Sequence, residues 1–207
     1  MTRVALIHAL AHSVAPINLE MARAWPACER MNLLDDSLSS DLARSGSGLD
    51  AAMHQRFEAL AAYAEGTGAQ AILFTCSAFG PCIDAVAARR PGMPVLKPNE
   101  AMVAEAVALG QRVGLIASFA PTLVSMPAEF PPGIEVVPRL AEGAMQALDA
   151  GDTAGHDDRV AQAALWLQQQ GCDVIALAQF SMARAETTVR QAVSVPVLTT
   201  PASAVRV

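Results

Sequence analysis

The sequence predicts an α/β protein made of two similar lobes, each a small parallel sheet flanked by helices, and three observations predict it. Short apolar runs of strand length alternate with longer stretches of helical spacing, which is the pattern of βαβ units. The composition is 53% hydrophobic but only 4% aromatic, so the core is built from Ala, Val, Leu, Ile and Met, as suits buried parallel strands under Ala-rich helices. The pattern also restarts past the midpoint. Arg112-Val-Gly-Leu-Ile116 repeats Arg3-Val-Ala-Leu-Ile7 at an offset of 109, Gly171 to Gln179 repeats Gly68 to Cys76 at 103, and Pro196-Val-Leu198 repeats Pro94-Val-Leu96. Three matches in one order predict pseudo-symmetric lobes over residues 1–98 and 99–207. Lobes of about one hundred residues can each hold a core. The final segment is a candidate to return to the first lobe.

Taken in order, Arg3–Ile7 reads as the first strand, followed by a loop with His8, His12 and Ser13 and a helix opening near Pro16. Met31–Leu34 is a second strand running into Asp35-Asp36-Ser37. The small, polar, glycine-bearing stretch Ser39 to Gly48 reads as a surface loop long enough to be a lid. Leu49 to Tyr63 has helical spacing through Met53, Phe57, Leu60 and Ala61, and Gly66 and Gly68 stop it. The apolar run Ala71 to Phe74 follows, then a helix through Arg90 and the short strand Pro94–Leu96.

Charge and cysteine content exclude several classes. The net charge is −6 and Arg89-Arg90 is the only adjacent basic pair, so nucleic acid and anionic membrane are not expected partners. No apolar stretch nears the ~18 residues that span a bilayer, and the opening lacks a signal-peptide core. Cys28, Cys76, Cys82 and Cys172 form no CxxC pair and no metal-type spacing with the four histidines. The expectation is a cytoplasmic protein with reduced thiols, no metal and no cofactor.

One thiol is singled out by its place. The buried run Ala71 to Phe74 ends in Thr75-Cys76-Ser77 at a strand-to-helix turn. A helix N-terminus stabilises a thiolate, although a single cysteine is also a common small core residue. In open α/β sheets ligands sit beyond the carboxyl ends of the strands, so two lobes facing through those ends would enclose a cleft. His8, Cys76 and Ser77 of the first lobe and Ser118 and Gln179 to Ser181 of the second would line it, with Cys76 and Gln179 equivalent. Thr75, Ser77 and Ser118 are candidates to hold a carboxylate or are helix-capping turn residues. His8 is a second titratable group near pH 7 or a structural histidine, and His12 is a looser candidate. Asp35 fits a site rim or an ordinary turn, Lys97 and Glu100 a helix start, and Cys28, Cys82 and Cys172 the core.

On these features the chain resembles the aspartate/glutamate racemase superfamily, which also holds hydantoin racemases, maleate isomerases and arylmalonate decarboxylases. The carriers are Arg3–Ile7, Thr75-Cys76-Ser77, Pro94-Val-Leu-Lys-Pro-Asn-Glu100, Arg112–Ala117 and Gly171–Leu177. The resemblance implies a small carboxylate-bearing substrate and a mechanism with two cysteines, one per lobe, on opposite faces of a substrate carbon. Cys76 matches the first. Gln179 occupies the second position, and an amide donates hydrogen bonds but neither gives nor takes a proton near pH 7. The arylmalonate decarboxylases also keep one thiol, at the position of the second lobe.

The reading is a cofactor-independent racemase-like enzyme in which Cys76 transfers a proton next to a carboxylate or acyl group. His8 or a water would serve the other face, and Thr75, Ser77, Ser118, Gln179 and Ser181 would bind the substrate. A decarboxylase or cis-trans isomerase of the same superfamily is the close alternative. A non-catalytic small-ligand binding module is the second, and thiol hydrolysis through a nearby histidine ranks last. Ala-rich helices would permit a homodimer.

Overall fold

A computed structural model describes residues 1–46 and 48–206. The chain divides into two compact units, Met1–Pro98 and Asn99–Val207.

The first unit runs β1 (Arg3–His8), α1 (Val14–Ala24), β2 (Glu29–Leu34), α2 (Ser37–Ser45), α3 (Ala51–Gly66), β3 (Ala71–Phe74), α4 (Gly80–Ala88) and β4 (Val95–Leu96). Its sheet is parallel throughout, in the order β2-β1-β3-β4. Asp50 caps α3, its Oδ1 accepting from Met53 N at 2.9 Å, and Gly68 takes a left-handed φ of 84° just past the helix end, where a Cβ would be strained. Phe57 of α3 packs on Phe74, the last residue of β3, with ring centroids 5.2 Å apart, and on Phe79 at 4.9 Å. This trio is most of the chain's scarce aromatic core, and it brackets the turn that carries Cys76.

The stretch Ser39 to Gly48 is not the expected loop. Most of it is α2, because Leu38 and Leu42 lie four residues apart on one face and are both buried. Gly46, at φ 61°, ends the helix; Ser47, within the same stretch, lies outside the described residues. Arg90 is also more than a helix end: it is buried, and its guanidinium meets Glu58 at 2.7 Å and Glu65 at 3.1 Å.

The second unit runs α5 (Glu100–Leu109), β5 (Arg112–Ala117), α6 (Ala120–Ser125), β6 (Glu135–Leu140), α7 (Ala144–Asp149), α8 (Thr153–Gln169), β7 (Val174–Leu177), α9 (Glu186–Ala192), β8 (Val197–Thr199) and α10 (Thr200–Arg206). Its parallel sheet has the order β6-β5-β7-β8, the first unit's topology repeated strand for strand. Alternation in β5 explains how both faces are covered. Val113, Leu115 and Ala117 pack with Met102 and Ala106 of α5, while Ile116 packs with Val160, Ala164 and Leu167 of α8. The final helix was a candidate to return to the first lobe. It belongs to the second unit, where Glu105 of α5 accepts from Ser203 Oγ at 3.1 Å and pairs with Arg206 at 2.8 Å.

Among the described residues no helix is long and apolar enough to cross a membrane.

Candidate functional site

In the first unit the site is built where β1 and β3 end side by side. Thr75 N donates to Ile7 O at 3.0 Å, which extends the ladder one residue past the strand. Cys76 is still extended, with φ −120° and ψ 115°, and a single 3₁₀ turn, Ser77–Phe79, separates it from α4. The thiol therefore stands at a turn rather than on the first residues of an α-helix. It is half-buried, and Ser39 Oγ of α2 lies 3.9 Å from its Sγ while donating to Ala9 O at 2.9 Å. Burial pushes the Cys76 pKa up to about 11; the backbone N–H of Ala78 and the Ser39 hydroxyl act the other way without prevailing. The expected thiolate at a helix N-terminus is thus replaced by a thiol protonated at neutral pH.

His8, the last residue of β1, is fully buried. Its Nε2 lies 2.9 Å from Asn32 Oδ1, an oxygen that also accepts from Asn18 Nδ2 at 2.7 Å. An amide oxygen only accepts, so Nε2 carries a proton, and in the neutral ring Nδ1 accepts from Thr75 Oγ1 at 2.8 Å. Burial holds the His8 pKa below its ordinary value, opposed by the bond to Asn32. His8 is joined to Thr75, the residue before Cys76, through this hydrogen bond. Ser77 is buried in the turn that follows.

Asp35 and α2 form a second layer. Asp35 Oδ1 accepts from Ser37 N and Ser37 Oγ, and Arg56 of α3 pairs with Asp35 at 2.6 Å and Asp41 at 2.7 Å. Burial alone would raise the Asp35 carboxyl, yet the bonds from Ser37 and Arg56 bring it below its ordinary value. Asp35 thus makes the ordinary turn that was one of its two readings. Lys97 pairs with Asp84 at 2.9 Å and Glu100 opens α5. Cys28, Cys82 and Cys172 are buried.

In the second unit the equivalent corner is closed by an amide. Gln179 Oε1 accepts from the backbone N–H groups of Ser118 and Phe119 and from Ser118 Oγ at 3.0 Å. Three donors on one oxygen is the arrangement that elsewhere holds a carboxylate or an oxyanion. Two residues on, the Ser181 hydroxyl is buried without a partner among the described residues, and so is Thr200 Oγ1 just past β8. Buried hydroxyls without partners are uncommon and call for explanation.

Within each unit, then, the structure brings His8, Thr75, Cys76 and Ser77 together, and likewise Ser118, Gln179 and Ser181. Sequence reasoning missed Asn18, Asn32, Ser39, Arg56 and Thr200. Asn32, a polar residue inside the apolar run Met31–Leu34, is the one that carried a local signal. Among the described residues no group of three His, Cys, Asp or Glu side chains is arranged to hold a metal ion.

Comparison with known proteins follows the same lines. The family model described as Asp/Glu/Hydantoin racemase matches residues 17–207, which leaves β1 and His8 outside the matched span. Glutamate racemase RacE1 from Bacillus anthracis superposes with a TM-score of 0.77 at 13% identity, covering 99% of this chain and 79% of that one. An aspartate racemase homologue from Pyrococcus horikoshii OT3 gives 0.72 at 15%, covering 100% and 96%. Allantoin racemase from Klebsiella pneumoniae gives 0.67 at 16%, covering 100% and 85%. No curated protein matches by sequence. Because the family model spans nearly all of the chain, and the paired four-stranded sheets are those of solved racemases, the chain belongs to the Asp/Glu/hydantoin racemase family.

Proposed function

We propose that the protein is a cofactor-independent isomerase of the racemase type, in which Cys76 transfers a proton at the carbon next to a carboxylate or acyl group of a small acid. The observation that carries this reading is Cys76 itself, half-buried at the carboxyl end of β3 with the Ser39 hydroxyl and the Ala78 backbone N–H beside its sulfur, and with its pKa pushed up to about 11. A thiol of that pKa is protonated at neutral pH, so its natural task is donation. Loss of the substrate's α-proton leaves an electron pair delocalised onto the carboxyl oxygens. The S–H bond then breaks as a new C–H bond forms, leaving the thiolate to be reprotonated. A water serves as base on the other face. His8, buried and engaged at both ring nitrogens, acts through Thr75 as a positioning residue. Ser77, next to Cys76, binds the substrate's oxygens. Stabilising the developing charge supplies much of the rate in such reactions.

The test is α-proton exchange in D₂O over a panel of small acids that includes aspartate, glutamate and allantoin, followed by NMR and chiral chromatography. Exchange with inversion, lost in Cys76→Ala, is the expected result. Exchange without inversion would overturn racemisation and point to chemistry on one face, and release of CO₂ would point to a decarboxylase. Ligand binding that Cys76→Ala leaves intact, with no turnover in either protein, would leave a binding module.

A further inference from the structure

The carboxyl end of β6 and the outer face of α8 enclose a pocket of about 230 Å³ with Arg139, Arg159, Gln162 and Glu142 on its walls. It lies wholly in the second unit and does not involve Cys76. Arg139 is laid over Trp166, its guanidinium carbon 4.6 Å from the ring centroid. Arg159 is held by its own helix, Nη1 donating to Gly155 O at 2.7 Å. It also runs across Gly143, its Nε and Cδ 3.1 and 3.6 Å from where a Cβ would stand. The bare glycine is what lets the guanidinium lie there. Neither arginine forms an ion pair among the described residues, unlike Arg3, Arg56, Arg90, Arg184 and Arg206. The nearby carboxylate of Asp152 is engaged as the cap of α8, accepting from Gly155 N at 2.9 Å.

We propose that this pocket is a binding site for a small phosphate-bearing ligand. A guanidinium stacked on an indole keeps its edge N–H groups for in-plane acceptors, and a fork of that shape matches phosphate oxygens in pairs. Two such forks, each fixed by an aromatic ring or a backbone carbonyl rather than by an acid, suit an occupant with several oxygens. The Gln162 amide can donate a further bond. The carboxylate of Glu142 on the rim repels any anion, a dianion more than a monoanion. The preference for phosphate therefore rests on the two forks, which the several oxygens of a phosphate can fill together and a single carboxylate cannot. The site also adjoins the corner closed by Gln179: Leu140 pairs with Ala117, the residue before Ser118, and Ala141 N donates to Ala117 O at 2.8 Å.

The chain has two tryptophans, so Trp25→Phe leaves Trp166 as the sole reporter beside Arg139. The full-length protein is titrated with inorganic phosphate and with glycerol phosphate at constant ionic strength, read by Trp166 fluorescence, and by calorimetry on the unmodified chain. A saturable response is expected, weakened at least tenfold in Arg139→Gln and in Arg159→Gln and strengthened in Glu142→Gln. A response no larger than that of chloride, an unchanged affinity in Arg159→Gln, or equal binding of succinate would overturn the proposal. None of these readouts depends on turnover, so failure of the Cys76 chemistry leaves the result intact.

Discussion

His8 Nδ1 and Thr75 Oγ1 stand 2.8 Å apart at the ends of adjacent parallel strands. Through that bond the backbone entering Cys76 is fixed by a fully buried imidazole, itself held by Asn32. Replacing Thr75 by Val keeps the side chain's size but leaves Nδ1 without its donor. The cost is about 1–3 kcal/mol, the penalty for an unsatisfied buried group, read from the shift of the urea unfolding midpoint.

The same burial sets a pH dependence. The folded-state pKa of His8 lies below its ordinary 6.5. As pH falls through that ordinary value the unfolded chain takes up the proton while the native ring does not, so stability drops on the acid side. NMR of the His8 ring protons should show a midpoint below 6.5, and stability measured between pH 7 and 5 should decline less steeply in His8→Asn.

Cys76 should be a slow thiol. With a pKa of about 11 against an ordinary 9.0, its thiolate is about a hundredfold scarcer at pH 8, and only the thiolate is alkylated. Iodoacetamide modification at this position, isolated by subtracting a Cys76→Ser control, should therefore climb steadily to high pH. Arg56→Met removes the pairs to Asp35 and Asp41 that secure α2, the helix whose Ser39 covers the sulfur. That variant should be alkylated faster, with a stability loss of about 1 kcal/mol that shrinks in high salt, as befits half-exposed ion pairs.

Gln179→Ala strips the common acceptor from Ser118 N, Ser118 Oγ and Phe119 N and should cost about 1–3 kcal/mol. Gln179→Glu keeps the acceptor and gains charge-assisted bonds, so it should unfold no more easily than the parent at pH 7. It trades the Nε2 donors for a negative charge, and a fall in turnover with stability unchanged would assign this position to the substrate.

Gly114→Ala tests the packing of the second sheet. A Cβ there would stand 2.9 Å from Ile175 Cδ1 and 3.1 Å from Leu167 Cβ. Overpacking of that kind costs about 1–3 kcal/mol, visible as a lowered thermal midpoint.

The repeat was legible because β1, β3, β5 and β7 are buried strands, and strands covered on both faces reduce to short apolar words that can be compared by eye. β6 was not. It is an edge strand with Glu135, Pro138 and Arg139 exposed, so its Glu-Val-Val-Pro-Arg-Leu carries no such word. α2 was missed because serine and glycine outweighed a single Leu38/Leu42 pair. The corner residues Cys76 and Gln179 could be found from strand ends alone. Ser39 and Arg56 could not, since each acts through a partner between fifteen and thirty-seven positions away, and local sequence holds no record of those pairings. The thiol's protonation state was likewise set by its surroundings, which outweighed the turn beneath it.

The repeated strand order has a consequence for how the chain is made. Every hydrogen-bonded partner in the first sheet, from Arg3 to Leu96, precedes the first residue of the second unit. The ribosome therefore releases a complete four-stranded sheet while the other half is still being translated, and nascent domains fold as units in that order. The turn that carries Cys76 can be assembled before Ser118 and Gln179 exist.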